Sequence, residues 1–267
     1  MRSLRVLFTV LLAFVGAVTI SSSAQAADGK YVALGDSYAV APGTRTYDDA
    51  VNDVCRRGPL TYSRLWAAQH PSVAFVEASC SGATTADVIS TQVPQLTADT
   101  TLVTLQVGGN DVGFVDVLAT CVLTIDDRDC VNAVETAKQA TQTTLSASLA
   151  QTYAAVRAKA PNARVIVVGY PRFYTISGTC GIFGLSDTER TAVNSAADTL
   201  AGVMSARAAE AGFTFLDARP VFDPHTICST GTVWLTSLEW DKINESYHPN
   251  VAGHRDGYLA ALNSLTG

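Results

Sequence analysis

Five short apolar runs recur along the chain, each followed by a turn and then by a stretch of helical character: Lys30 to Leu34, Val73 to Val76, Thr101 to Val107, Ala163 to Gly169 and Phe213 to Leu216. Near-continuous apolar strands of this kind belong to a parallel sheet covered on both faces. Between them lie Tyr62 to His70, closed by Pro71, and an amphipathic stretch from Val131 to Lys159 that forms one long helix or two short ones. Ser186-Asp187-Thr188-Glu189 is a capping box opening a helix toward Ala211, and Asn250 caps a last helix through Leu262. Alternating strands and helices, joined by right-handed crossovers, define a three-layer α/β/α architecture. No repeat, linker or composition break interrupts residues 27–267, so one domain is expected there.

The first 26 residues read as a secretory signal: Arg2 and Arg5, the apolar run Val6 to Ile20, then the small-residue site Ala24-Gln25-Ala26. That run is too short and wrongly flanked for a membrane span, and no later stretch could anchor the chain. A secreted, extracellular protein without a membrane anchor is therefore expected. Six cysteines, Cys55, Cys80, Cys121, Cys130, Cys180 and Cys228, then read as three disulfides. They allow about fifteen pairings, of which the sequential one is the most economical. Cys121 and Cys130 flank the polar Asp126-Asp127-Arg128-Asp129, which looks like a stapled loop. A metal site is not expected, because there is no Cys-x-x-Cys and the chain has only four histidines. A net charge of -6 without a basic cluster argues against a nucleic-acid partner. Nothing calls for an obligate partner, so a monomer is expected.

The residues that carry chemistry fall at the strand ends. Leu34-Gly35-Asp36-Ser37-Tyr38 follows the first strand, Cys80-Ser81-Gly82-Ala83 the second, Val107-Gly108-Gly109-Asn110-Asp111 the third, and His248-Pro249-Asn250 closes the loop after the fifth. In a parallel sheet these positions share one carboxyl edge, where α/β proteins bind ligands. The spacing is not the Gly-x-Ser-x-Gly elbow of another hydrolase class. A plain turn remains the bland reading of any one block; four of them in this order are not a coincidence of composition.

In these four blocks the sequence resembles the SGNH (GDSL-type) hydrolase superfamily, and within it the secreted lipases and esterases of actinomycetes. The resemblance spans nearly the whole mature chain, six cysteines included. It implies a flavodoxin-like five-stranded sheet, sequential disulfides, and carboxylic ester hydrolysis through a Ser37 acyl-enzyme. The implied oxyanion donors are the Ser37 and Gly82 backbone amides and the Asn110 side chain. A serine hydroxyl needs a base to take its proton, and His248, whose side chain titrates near neutrality, can serve. No metal or organic cofactor is required for this chemistry. One position departs from the pattern: the superfamily usually carries Asp three residues before the histidine, and this chain has Glu245. Either Glu245 or the backbone carbonyl of Ser246 is left to orient the ring.

Acyl-chain contacts are expected from Phe114, Val115, Phe173, Tyr174, Ile182 and Phe183, and no amphipathic lid helix is apparent. The substrate reading is an acyl ester of a lipid, with a phospholipid or a sugar ester at the same site as rivals. A non-catalytic binding protein on this fold is the reading from a different class. Asp111 is expected to be a structural hydrogen-bonding partner. His70 and His225 are expected at the surface, and His254 packed or solvent-facing on the last helix.

Overall fold

The computed structural model describes residues 28–176 and 184–267. The signal segment over residues 1–26, and Cys180, Ile182 and Phe183, lie outside the described residues. Five strands form one sheet in the spatial order β2-β1-β3-β4-β5: β1 Lys30–Gly35, β2 Ala74–Glu77, β3 Leu102–Gln106, β4 Arg164–Val168 and β5 Thr214–Leu216. Every neighbouring pair is parallel, with Val32 opposite Val76 on one side and Val103 on the other. This is the flavodoxin-like order. Its direction reverses between β1 and β3, which opens a crevice at their carboxyl ends.

The helices are α1 Tyr62–Gln69, α2 Thr85–Asp87, α3 Phe114–Leu123, α4 Asp127–Ala140, α5 Ser146–Lys159, α6 Asp187–Glu210, α7 Arg219–Phe222 and α8 Ala260–Thr266. The crossover carrying α1 runs in the opposite sense to those carrying α5 and α6. Equal handedness therefore places them on opposite faces of the sheet. Leu34, Leu105 and Ile166 from the central strands are fully buried between these layers, as are Leu149 and Val156 of α5. The amphipathic stretch is continuous: a π-helical turn, Thr141–Leu145, joins α4 to α5. At the start of α6 the Glu189 N–H donates to Ser186 Oγ (3.2 Å) and the Ser186 N–H to Glu189 Oε2 (2.8 Å). The acidic residues of that first turn also complement the helix dipole. Among the described residues no helix is long and apolar enough to cross a membrane.

Two local features differ from the sequence reading. The polar run after Cys121 is not a loop: Asp126 caps α4 through the Arg128 N–H, and Asp127 and Asp129 occupy its first turn, where carboxylates are favoured. And α3 arises where only a turn was legible. Its sequence FVDVLATCVL is apolar on nearly every side, so no amphipathic period announces it.

Disulfides join Cys55 to Cys80 and Cys121 to Cys130, and Cys228 is also disulfide-bonded. The first bridge spans 25 residues and ties the loop after β1 to the loop after β2. Its removal by Cys55→Ser with Cys80→Ser is expected to cost about 3–4 kcal/mol of chain-entropy stabilisation. Urea unfolding of the double variant measures this. A midpoint unchanged from wild type would show the bridge to be idle.

Candidate active site

The turn that presents Ser37 is built by two neighbours. At Gly35 the backbone has φ +152°, and a Cβ there would lie 2.6 Å from the Gln106 carbonyl oxygen, so only glycine fits. The chain then folds back: the Asp36 N–H donates to the Gln106 carbonyl at 2.9 Å, and the buried Asp36 carboxylate accepts from the Tyr38 N–H at 2.9 Å and from the Tyr170 hydroxyl. Burial raises the Asp36 carboxyl above the usual range, against both hydrogen bonds. Asp36 is thus spent on holding the turn. Ser37 is the half-buried residue that this turn exposes at the crevice.

Ser37 Oγ lies 2.8 Å from His248 Nε2, and His248 Nδ1 lies 2.8 Å from the Ser246 carbonyl oxygen. A carbonyl can only accept, so Nδ1 carries the hydrogen and Nε2 offers its lone pair to the serine hydroxyl. Desolvation lowers the His248 pKa to about 4, outweighing the Ser246 carbonyl, which favours the charged ring. The imidazole is consequently neutral at pH 7 and free to take a proton. The most acidic limb of kcat/KM on a soluble ester is expected to have its midpoint near 4, with activity lost below it as Nε2 becomes protonated. A pH–rate profile whose last midpoint sits near 6.5 would contradict this burial.

The loop carrying His248 is held in a demanding conformation. Tyr247 has φ +63°, a left-handed value that costs a bulky residue roughly 1–2 kcal/mol. Its surroundings fix it there. The Tyr247 carbonyl accepts from the Tyr38 hydroxyl, its N–H donates to the Thr236 carbonyl at 3.0 Å, and its hydroxyl accepts from Tyr174 at 3.0 Å. Thr236 Oγ1 also donates to the Glu245 carbonyl at 2.6 Å and accepts from the His248 N–H at 3.0 Å. Tyr38, Thr236 and Tyr247 are positioning residues that the sequence reading missed. The Asp36-Ser37-Tyr38 run was in view, but only the fold brings Tyr38 to a loop 209 residues away.

The Glu245 carboxylate is not hydrogen-bonded to His248; only the Glu245 backbone adds to the Ser246 carbonyl in favouring the charged ring. The carboxylate accepts from the Tyr47 hydroxyl at 2.6 Å and pairs with Arg45 at 3.2 Å and Arg56 at 4.0 Å. These contacts bolt the histidine loop to the loop after β1. Of the two candidates for orienting the ring, the Ser246 carbonyl holds Nδ1 and the Glu245 carboxylate does not.

The loops bearing Gly82 and Asn110 are stitched together. Asn110 Nδ2 donates to the Ala83 carbonyl at 2.9 Å, and the Asp111 carboxylate accepts from both the Thr85 N–H and hydroxyl. Asp111 is thus a structural partner. Gly82 has φ +82° and open space where a Cβ would stand. The Ser81 N–H beside it donates to the Cys55 carbonyl at 3.1 Å, so the Cys55–Cys80 bridge anchors this loop. Ser37, Gly82, Asn110 and His248 all line one crevice of about 470 Å³, with Arg56 beside them.

Apolar side chains of α3 wall that crevice. Phe114, Val115 and Phe173 stand there as anticipated, joined by Leu118 and Val122 of α3 and Leu200 of α6, which sequence reasoning did not find. Tyr174 does not line it; the ring is buried and turned to Tyr247. His254 is fully buried against Tyr62, while His70 and His225 stack on Trp66 and Trp234.

The parallel sheet thus brings a serine, an imidazole hydrogen-bonded to it and an apolar crevice together at its switch point. The sequence matches the GDSL-like lipase/acylhydrolase family over residues 33–255. It is 46% identical to Lipase 1 of Streptomyces coelicolor over 251 residues, 94% of this chain and 92% of that protein. Among solved structures, phospholipase A1 from Streptomyces albidoflavus superposes with a TM-score of 0.84 at 50% identity, covering 88% of this chain and 98% of that one. The extracellular lipase of Streptomyces rimosus gives the same TM-score, 0.84, at 42% identity, over 89% of this chain and 100% of that one. This chain belongs to the GDSL-like lipase/acylhydrolase family and is an ester hydrolase.

Proposed function

We propose that this protein is a secreted hydrolase of lipid acyl esters, with Ser37 as nucleophile and His248 as general base. The observation that carries the reading is the 2.8 Å approach of Ser37 Oγ to a His248 Nε2 whose tautomer is set by the Ser246 carbonyl, at the foot of an apolar crevice. Ser37 Oγ attacks the ester carbonyl while its proton passes to Nε2. The imidazolium then gives that proton to the departing alcohol, leaving an acyl-enzyme. Water, deprotonated by His248, cleaves the acyl-enzyme and returns the hydroxyl to Ser37. The developing oxyanion is held by the Ser37 and Gly82 amides and the Asn110 side chain. One of the two N–H groups of Asn110 is taken by Ala83; the other is left for substrate. Every one of these groups comes from a single chain, which supports a monomer as the working unit.

Export is supported by Arg2, Arg5, the apolar Val6 to Ile20 and the Ala24-Gln25-Ala26 site. Protein recovered from culture medium should begin at Ala27. The activity is tested by hydrolysis of p-nitrophenyl esters from acetyl to palmitoyl, wild type beside Ser37→Ala. Ser37-dependent rates rising with chain length support a lipid substrate. Rates confined to acetyl would replace it with a small-ester or sugar-ester role, and no hydrolysis at all would return the binding-protein reading.

Arg56 favours a phospholipid as a second reading, because it lines the same crevice and brings a cation that suits a headgroup phosphate. Under that reading Arg56→Gln lowers the rate on phosphatidylcholine relative to that on a triglyceride; an unchanged ratio speaks against it.

A dyad steadied by main chain also sets the effect of Glu245→Ala. Its loss loosens the loop but leaves the Nδ1 partner in place. The expected fall in kcat/KM is below about 100-fold, against roughly 10⁵- to 10⁶-fold for His248→Ala. Equal losses would transfer the orienting role to Glu245.

A further inference from the structure

Among the described residues, eight large apolar side chains stand exposed. Four of them, Val115 (66%), Leu123 (67%), Trp240 (67%) and Ile243 (51%), also line the crevice that holds Ser37 and His248. They come from two sides: Val115 and Leu123 from α3, Trp240 and Ile243 from the 3-10 segment Trp240–Glu245 that leads to the histidine. Ile125, two residues past Leu123, is fully exposed. Single exposed apolar residues need no explanation, but a set gathered around the entrance to an acyl crevice marks a surface that water does not normally cover.

We propose that this rim docks the enzyme onto an electrically neutral lipid surface, with Trp240 and Ile243 entering from one side of the crevice and Val115 and Leu123 from the other. The proposal rests on the lipid-ester reading above and names the physical state in which the substrate is met. Continuity is the first argument. The rim side chains are themselves crevice walls, so an acyl chain drawn from an aggregate passes from lipid to Ser37 without crossing water. An indole is also suited to the boundary between headgroup and acyl chain.

Charge decides which surface. The chain carries -6 overall, and carboxylates interleave with the rim: Asp116 beside Val115, Asp126 beside Ile125 and Asp241 beside Trp240. The nearby cations each lie within reach of a carboxylate, Arg128 of Asp126 at 2.5 Å, Lys242 of Glu239 at 3.6 Å and Arg56 of Glu245 at 4.0 Å. With a carboxylate beside each of these cations and a net charge of -6, the rim offers no basic cluster to recruit anionic lipid, so apolar insertion is the attractive contribution.

The test uses the Ser37→Ala protein, so that lipid is not consumed, with phosphatidylcholine vesicles in a flotation assay and by tryptophan fluorescence. Trp66 is buried and Trp234 partly buried, so a blue shift on adding vesicles reports Trp240. Flotation is expected at low and high salt alike, with no gain when phosphatidylglycerol is added. Trp240→Ser with Ile243→Ser, and separately Leu123→Ser with Ile125→Ser, should each lower the partition coefficient by roughly tenfold or more. Absence of flotation, variants that partition like their parent, or binding seen only with phosphatidylglycerol would each overturn the proposal. Failure of the underlying reading looks different: wild type then cleaves no p-nitrophenyl ester. Wild type that cleaves a soluble ester while its Ser37→Ala form does not float sinks docking alone.

Discussion

Ser37→Ala is expected to lower kcat on a soluble ester by roughly 10⁵- to 10⁶-fold, and His248→Ala by a similar factor, with the double variant no worse than either alone. The two side chains act as one unit. The serine is a weak nucleophile without the base, and the base has nothing to activate without the serine. Their 2.8 Å contact, with Nδ1 already committed to Ser246, leaves no other imidazole or carboxylate hydrogen-bonded to Ser37 Oγ among the described residues. Both residues are half-buried at the crevice rather than in the core, so the variants should melt close to wild type. Additive losses in the double variant would mean that each residue serves a separate step. Steady-state kinetics beside thermal melts of the three proteins measures both.

Asn110→Ala carries the second large effect. Removing one preorganised donor to a developing oxyanion costs roughly 10²–10³ in kcat, about 3–4 kcal/mol, because the negative charge exists in the transition state and not in the bound ester. The loss is therefore expected in kcat with little change in KM. Asn110 also donates to the Ala83 carbonyl at 2.9 Å, so a purely structural role would loosen the Gly82 loop and raise KM. The split between the two constants separates these readings. Thr85→Val supplies the contrast: it removes the Asp111 hydroxyl contact that joins the same two loops but leaves the Asn110 amide in place. Its effect on kcat should be far smaller.

What the sequence made legible follows from how local each signal is. The five apolar runs announced a parallel sheet because strands buried on both faces need near-continuous apolar residues, and β1, β3 and β4 are buried almost throughout. Ser37, Gly82, Asn110 and His248 were legible because each sits in a short block at a strand end or loop closure, where topology alone brings them to one edge. Three kinds of feature were not. The helix over Phe114–Leu123 has no sustained polar face to give a period, because apolar residues stand on its exposed side, Val115 and Leu123, as well as on its buried one. The choice between Glu245 and the Ser246 carbonyl depended on where a loop turns, and that is set by the left-handed Tyr247 and its contacts to Tyr38 and Thr236. Sequence position alone put Glu245 in the running; its side chain is instead drawn to Tyr47 and Arg45. The apolar rim was illegible for a related reason. Val115, Leu123, Trp240 and Ile243 look like core residues until the fold leaves them at the mouth of the crevice.

This division has a mechanical sense. The residues assigned to the substrate are presented by turns at the sheet edge, and those turns are held by largely buried groups, of which Asp36, Tyr38 and Tyr170 themselves back onto the crevice. Asp36 and Tyr170 hold the serine turn, Thr236 and Tyr38 the histidine loop, and Asp111 with the Cys55–Cys80 bridge the oxyanion loops. Such support keeps the donors and the base in place before the substrate arrives, so that little reorganisation is left for the reaction itself.

The most direct test of the account is covalent labelling with a fluorophosphonate, followed by mass spectrometry of the intact protein and of its peptides. Wild type should gain one adduct, located on Ser37, while Ser37→Ala and His248→Ala remain unlabelled. Labelling that persists in Ser37→Ala, or a native protein that takes no label, would contradict a Ser37–His248 acyl-ester hydrolase.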